Sequence, residues 1–124
     1  MKCDKEESKE RSSNGLEENL KKALTELMIL FLFGEEDHYI GELSQLLEKR
    51  SHGVLTIVFP YAAIYRLSQA GYLLESEKKV APDGRLRQYY KITEKGRAHL
   101  ESLLGTYRCF IQGVNDIFSG GEKS

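Results

Sequence analysis

A β-hairpin signal set between two helical patterns constrains the fold of this 124-residue chain more than any other feature. Residues 72–80 and 86–92 alternate apolar and charged side chains, as half-buried strands do. The linking segment Ala81-Pro82-Asp83-Gly84-Arg85 is typical of a tight turn, since proline presets φ and glycine can adopt a positive φ. One helical pattern ends at Gly71, a common C-cap residue, and another begins after Thr93, a good N-cap. The sequence therefore predicts a helical domain with one inserted hairpin.

Three helical patterns precede the hairpin. The first begins at Asn14, a suitable N-cap, and is expected to end at Gly34 after a stretch that is apolar on nearly every side. The second runs from about Tyr39 to Arg50, and the third begins at Pro60, which is well tolerated at a first helical position. Two helices with a short connection, followed by a hairpin, are the layout of a winged helix-turn-helix. The expected fold class is mainly α with a small β-hairpin (α+β).

Charge is distributed unevenly along the chain. The net charge is -1, yet eight basic side chains and only four acidic ones lie between Tyr61 and His99. In a winged helix-turn-helix one helix enters a DNA groove and the hairpin reaches phosphate, so this local excess favours double-stranded DNA as the partner. The residues expected to contact DNA are Tyr39, Tyr61, Tyr65, Arg66, Lys78, Lys79, Arg85 and Arg87.

These residues also allow other interpretations. In one alternative Tyr61, which lies one turn before Ile64, is a core residue, and Arg66 is merely a solvated surface residue. Basic side chains on a hairpin can serve only to prevent edge-to-edge aggregation of sheets. The competing function is a winged-helix protein-interaction module without DNA binding, which the acidic Glu42 and Glu48 of the second helix would tolerate.

The last helix carries an apolar stripe that no later element of the chain can cover. Such a stripe needs a partner, either the first helix or the same helix of a second subunit. The residues of this stripe, which would lie at either kind of interface, including that of a dimer, are Leu100, Leu103, Leu104, Tyr107, Phe110, Ile111, Val114, Ile117 and Phe118.

The sequence contains no motif that pairs a nucleophile with a base and no phosphate-binding loop motif. His38, His52 and His99 are scattered and are expected on the surface or in loops, and the two cysteines have no metal-ligand or disulfide spacing. Cys109 is expected to be packed within the last helix. We therefore predict that the protein is not an enzyme and binds no metal or other cofactor. We also predict a reduced, cytoplasmic setting.

The predicted organisation has four parts. A disordered tail at 1–13 precedes a winged-helix domain at 14–96, which is followed by a dimerisation helix at 97–118 and a flexible tail at 119–124. The longest apolar stretch, at 27–33, is far shorter than the roughly 20 residues that span a bilayer, so no membrane partner is expected.

Four stretches match a known family pattern. They are Leu27 to Leu32, Tyr39-Ile40-Gly41-Glu42-Leu43, Tyr61 to Gly71, and Arg87-Gln88-Tyr89-Tyr90-Lys91-Ile92-Thr93-Glu94-Lys95-Gly96. Through them the chain resembles the PadR-like transcriptional regulators over about Leu24 to Leu104. The last stretch is the most specific, because it joins the second wing strand to the cap of the final helix. The chain departs from the pattern in three places: Ala62 replaces the usual proline, Val58-Phe59-Pro60 stands where a small, glycine-containing turn is common, and Ile40-Gly41 alters the start of the second helix.

The resemblance implies a homodimer paired through the C-terminal helices that binds a pseudo-palindromic operator as a repressor. Some relatives bind aromatic acids or drugs between these helices. A small aromatic effector would here meet Tyr107, Phe110 and Phe118, but an apolar dimer seam explains the same residues more simply.

Overall fold

The computed structural model describes residues 15–56 and 60–120. Its elements are, in order, α1 (Leu16–Glu35), β1 (His38–Tyr39), α2 (Ile40–Arg50), α3 (Tyr61–Gln69), β2 (Leu73–Val80), β3 (Leu86–Ile92) and α4 (Glu94–Phe118). The predicted α+β winged-helix class is confirmed. Four predicted features lie outside the described residues. They are the tail at 1–13, the N-cap at Asn14, the departures Val58 and Phe59 from the family pattern, and residues 121–124 of the C-terminal tail.

The sheet of the described residues has three antiparallel strands in the order β1-β3-β2, one more than the predicted hairpin. The additional strand pairs His38 with Tyr90 and Tyr39 with Tyr89. A two-residue strand is too short to show alternation, so periodicity cannot reveal it. As a result α2 begins at Ile40, and Tyr39 belongs to the sheet.

The prediction that Gly34 ends the first helix is wrong, because α1 continues to Glu35. The helix α4 crosses α1 at this glycine, and a Cβ atom built on Gly34 would lie 2.8 Å from Leu100 Cδ2. The missing side chain thus permits close helix packing and does not terminate the helix. Leu100 is itself buried. This residue, expected at a dimer interface, therefore belongs to the core of the chain.

The core lies where α1, α2 and α3 meet the sheet and the first turns of α4. Its largest fully buried side chains are Phe33, Ile29, Leu30, Leu43, Leu67 and Leu73. The last turns of α1 are apolar on several sides because other elements cover them on several sides. No helix within the described ranges is long and apolar enough to cross a membrane.

Thr93 connects the end of α3 with the start of α4. Its hydroxyl donates to the Gly71 carbonyl oxygen (2.7 Å) and accepts a hydrogen bond from the Gly96 N–H (2.9 Å), while its own N–H donates to the Tyr72 carbonyl oxygen (3.0 Å). At Gly96 the backbones approach so closely that a Cβ atom would lie 2.3 Å from the Tyr72 carbonyl oxygen. Only glycine fits there.

His38, expected on the surface or in a loop, is instead buried. Its Nδ1 lies 2.8 Å from Glu42 Oε2 and its Nε2 lies 3.0 Å from the Leu32 carbonyl oxygen. Each ring nitrogen thus lies within hydrogen-bond distance of an oxygen. His38 thereby ties the end of α1 to the start of α2. His52 is exposed, as expected, and His99 stacks on the Tyr72 ring with the centroids 4.1 Å apart.

The substitution Gly96→Ala is expected to lower the free energy of unfolding by roughly 2–3 kcal/mol, because the new methyl group overlaps a backbone carbonyl that cannot move freely. Urea denaturation followed by circular dichroism measures it. Gly105→Ala is the matched control in the same helix, because nothing lies within 4 Å of its Cβ position; it should gain up to about 1 kcal/mol. Equal effects of the two substitutions would contradict the close approach.

Candidate nucleic-acid interface

The helix α3 buries one face and exposes the other. Ala63, Ile64 and Leu67 are buried, whereas Tyr61 is 57% and Tyr65 is 65% exposed. The alternative that Tyr61 is a core residue is therefore wrong. The exposed face consists of Tyr61, Ala62, Tyr65, Arg66 and Gln69.

Arg66 lies at the edge of this face and is not a free cation. Its Nε donates to Glu26 Oε2 on α1, and both side chains are exposed at the surface. An exposed ion pair of this kind is weak, so it adds little stability. It does lower the net positive charge on the side of α3 that faces α1.

Two tyrosines and two cations share the outer face of the sheet. Tyr39 pairs with Tyr89 across β1 and β3, and Lys79 pairs with Arg87 across β2 and β3. The tyrosine rings meet edge to face with their centroids 5.4 Å apart. Lys79 Nζ lies 4.4 Å from the Tyr89 centroid, and Arg87 Cζ lies 5.0 Å from the Tyr39 centroid. We call these four residues the tyrosine–cation cluster.

Burial raises the pKa of both Tyr39 and Tyr89 above the usual 10.0, and the nearby carboxylates of Asp83 and Glu42 raise it further. Both hydroxyls are therefore neutral at physiological pH. A neutral phenol can donate a hydrogen bond to an anion while its ring remains packed. The helix α3 leads into β2, the strand that carries Lys79, and contacts it.

Asp83 organises the tip of the hairpin. Its Oδ1 accepts from the Arg85 N–H (3.0 Å), and its Oδ2 accepts from Arg87 Nη2 (2.6 Å). The hydrogen bond from Arg87 holds the pKa of Asp83 below its usual value, and Asp83 raises the pKa of Arg87 in turn. Arg87, expected to be free for phosphate, is therefore already paired.

Lys78 and Arg85 are the other two basic residues expected on the wing. Both are exposed, and within the ranges the structure describes neither takes part in an ion pair. Lys78 lies opposite Gln88 in the strand pair, and Arg85 lies in the turn. Lys78 and Arg85 thus lack the ion pair that Arg87 forms, and sequence spacing alone does not reveal this difference.

Sequence reasoning missed Tyr89. The available signal was the strand period of two, which places Tyr89 on the same face as Arg87. Its cross-strand neighbour Tyr39 could not be found in the same way, because β1 was not predicted. Tyr39 itself is half-buried, so it presents an edge to solvent and not a whole ring.

A second surface lies where α4 runs past α1. Leu103 and Leu104 are half-buried against the core, whereas Phe110, Ile117 and Phe118 are exposed. The remaining members of the predicted interface are exposed Tyr107 and half-buried Ile111 and Val114.

Two grooves of about 470 and 340 Å³ flank the contact between α1 and α4 and share Leu24, Leu27 and Tyr107. Both are lined mainly by apolar side chains. Cys109, expected to be packed, is exposed on the same helix. Among the described residues no group of three or more histidine, cysteine, aspartate or glutamate side chains could hold a metal ion.

Comparison with known proteins agrees with this architecture. Residues 29–102 match the model of the transcriptional regulator PadR-like family. The chain is 31% identical over 96 residues to an uncharacterized protein of Lysinibacillus sphaericus, covering 76% of this chain and 86% of that protein.

Two solved structures show the same fold. A PadR-like transcriptional regulator from Bacillus cereus aligns with a TM-score of 0.71 at 26% identity, over 82% of this chain and 98% of its own. A PadR family transcriptional regulator from Eggerthella lenta aligns with a TM-score of 0.72 at 18% identity, over 94% of this chain and 98% of its own. The longer second alignment extends the likeness in fold beyond the residues of the family match.

The two faces of α3 should respond differently to truncation. Ile64→Ala is expected to lower the free energy of unfolding by about 2–4 kcal/mol, because it leaves a cavity in the core. Tyr65→Ala should cost less than about 0.5 kcal/mol, since the ring is exposed. Urea denaturation measures both, and a comparable loss for the two variants would contradict the assignment of the faces.

Proposed function

Because this chain belongs to the PadR-like family of transcriptional regulators, we propose that it binds a pseudo-palindromic DNA operator as a homodimer in the cytoplasm and represses transcription there. Members of the family are DNA-binding regulators and not enzymes, in agreement with the prediction from the sequence. The operator, the homodimer and the sign of regulation are parts of the proposal.

One observation carries the choice of surface. The helix α3, with one exposed face, leads directly into β2 and contacts it, so a groove-sized helix and a basic wing are neighbouring elements. In this docking geometry Tyr61 and Tyr65 reach the major groove, and the wing contacts phosphates beside it. The neutral hydroxyl of the half-buried Tyr39 adds a donor that needs no counter-charge.

The cations available for phosphate are few. Lys78 and Arg85 are exposed, Lys79 packs on Tyr89, and Arg66 and Arg87 are paired with carboxylates. A winged-helix docking module without DNA binding would also tolerate such pairs. It would have no need, however, for exposed basic residues beside an exposed helix face.

Exposed apolar residues of α4 support the homodimer. Among the described residues Phe110, Ile117 and Phe118 are exposed, and the exposed Leu16 and Leu20 extend the apolar surface onto α1. Pairing two copies through these residues would bury the apolar surfaces of α4 and α1 and would place two wings on one duplex, as a pseudo-palindromic operator requires. A small aromatic effector is not part of the proposal, because this seam accounts for the same apolar residues.

The function is tested by selecting fragments of the source genome that the protein retains at physiological salt. We expect enrichment of an inverted repeat whose half-sites lie about one helical turn apart or a multiple of it. Bound fragments without any repeated element would contradict the operator, and a complete failure to retain DNA would favour the docking module.

Arg85→Ala should weaken binding to duplex DNA of any sequence and flatten the slope of log K against log[salt] by about 0.9 for each wing on the duplex, about 1.8 for the dimer, because each phosphate contact releases about 0.9 counterions. Fluorescence anisotropy at several salt concentrations measures this slope. Arg108→Ala is the matched control, because it removes an exposed arginine of α4 far from the wing. An unchanged slope for Arg85→Ala would exclude this residue from the interface.

Phe110→Asp should convert the dimer to monomer by weakening self-association at least about tenfold, since pairing would bury an unpartnered carboxylate. Sedimentation equilibrium measures it. Ser102→Asp adds the same charge at an exposed polar position of α4 and should leave the dimer intact. A Phe110→Asp variant that stays dimeric would contradict the assigned seam.

A further inference from the structure

We propose that Asp83 regulates DNA affinity by holding Arg87 in an internal ion pair, from which DNA phosphate must displace it. This inference rests on the proposed DNA-binding function and adds a restraint within the same site. Asp83 therefore acts as a positioning residue that weakens binding, on a hairpin whose other charged tip residue, Arg85, promotes it.

The pair has the geometry of a strong interaction and is open to competition. Asp83 Oδ2 and Arg87 Nη2 are 2.6 Å apart, which is typical of a charge-assisted hydrogen bond. The side chains are 39% and 32% exposed, respectively, so an approaching phosphate can reach both. Phosphate offers the guanidinium a planar, two-point contact in place of this single hydrogen bond.

The free protein leaves Arg87 incompletely satisfied. Its Nε is buried and has no hydrogen-bond partner among the described residues. A buried donor without an acceptor is unfavourable, so the guanidinium gains by turning to an acceptor outside. The Tyr39 ring beneath it, 5.0 Å from Cζ, provides a surface on which the side chain can swing without leaving the cluster.

The Asp83 carboxylate stays in place when the Arg87 side chain turns toward phosphate. Its second oxygen accepts the Arg85 N–H at 3.0 Å, which anchors the carboxylate at the hairpin tip. The negative charge therefore stays where the wing meets phosphate, and it opposes DNA binding both by repulsion and by neutralising Arg87. Loss of this charge should increase affinity, whereas loss of most acidic residues elsewhere should have little effect.

The experiment measures binding of the full chain to a fluorescein-labelled mixed-sequence duplex of about 30 base pairs by anisotropy at several salt concentrations. Asp83→Asn keeps an oxygen for the Arg85 N–H but removes the charge. It should tighten binding roughly fivefold and steepen the salt slope by about 0.9 for each wing on the duplex, about 1.8 for a dimer, because each Arg87 gains a phosphate. Asp83→Ser, which retains a shorter acceptor, should act in the same direction.

Glu35→Gln is the matched control. Glu35 forms an equally close pair with Arg50, 2.6 Å between Oε1 and Nη1, but this pair joins the ends of α1 and α2 and lies outside the proposed interface. Its loss removes the same unit of charge and should change the affinity less than about twofold. Circular dichroism melting checks that every variant is folded.

A double-mutant cycle separates release of Arg87 from removal of charge. In the Arg87→Ala background, Asp83→Asn should gain less than about twofold. An equal gain in both backgrounds, or no gain from Asp83→Asn while the wild type binds, would overturn the inference. If neither the wild type nor any variant binds the duplex, the proposed function itself fails and this inference falls with it.

Discussion

The arrangement of the whole domain depends on the hydrogen bonds of Thr93. Its side chain joins the Gly71 carbonyl at the end of α3 to the Gly96 N–H at the start of α4, and its backbone pairs with Tyr72 at the entry to the sheet. The missing side chain of Gly96 lets α4 begin directly against that strand. One junction thus sets the proposed DNA-reading helix, the wing and the proposed dimer helix relative to one another. Half-site spacing would follow from this geometry, since it links the two surfaces rigidly.

The ion pairs of the structure change the charge distribution that composition alone suggests. A net charge of -1 with a basic central segment indicates an asymmetric charge distribution, but Glu26 and Asp83 pair with two of the arginines in that segment. Such exposed pairs contribute little to folding, so their effect falls on what the surface can bind. A DNA-binding regulator that must also dissociate from DNA gains from a moderate affinity. In its proposed role Asp83 lowers the DNA affinity through a single negative charge at the hairpin tip.

Strong local signals allowed most of the fold to be predicted. Gly71, the turn at 81–85 and Thr93 each have a conformational preference that acts within a few residues, and the structure has the expected element at each. Gly34, His38 and the two-residue β1 were misjudged or missed, because their roles depend on partners distant in sequence: Leu100, the Leu32 carbonyl and Tyr90. The exposed face of α3 was predicted correctly from its period. The ion pairs that Arg66 forms with Glu26 and Arg87 forms with Asp83 could not be predicted.

The amino-acid sequence by itself determined the order of the helices and the hairpin, the two faces of α3 and the family, because these follow from periodicity, capping residues and short motifs along the chain. The tertiary structure alone decided which cations are free, that Leu100 belongs to the core while Phe110 is left exposed, and that Tyr89 joins Tyr39 beside the wing. The physical reason is that charge pairing and burial depend on distances between residues far apart in sequence. Those distances exist only after α4 has packed on α1 and β1 on β3.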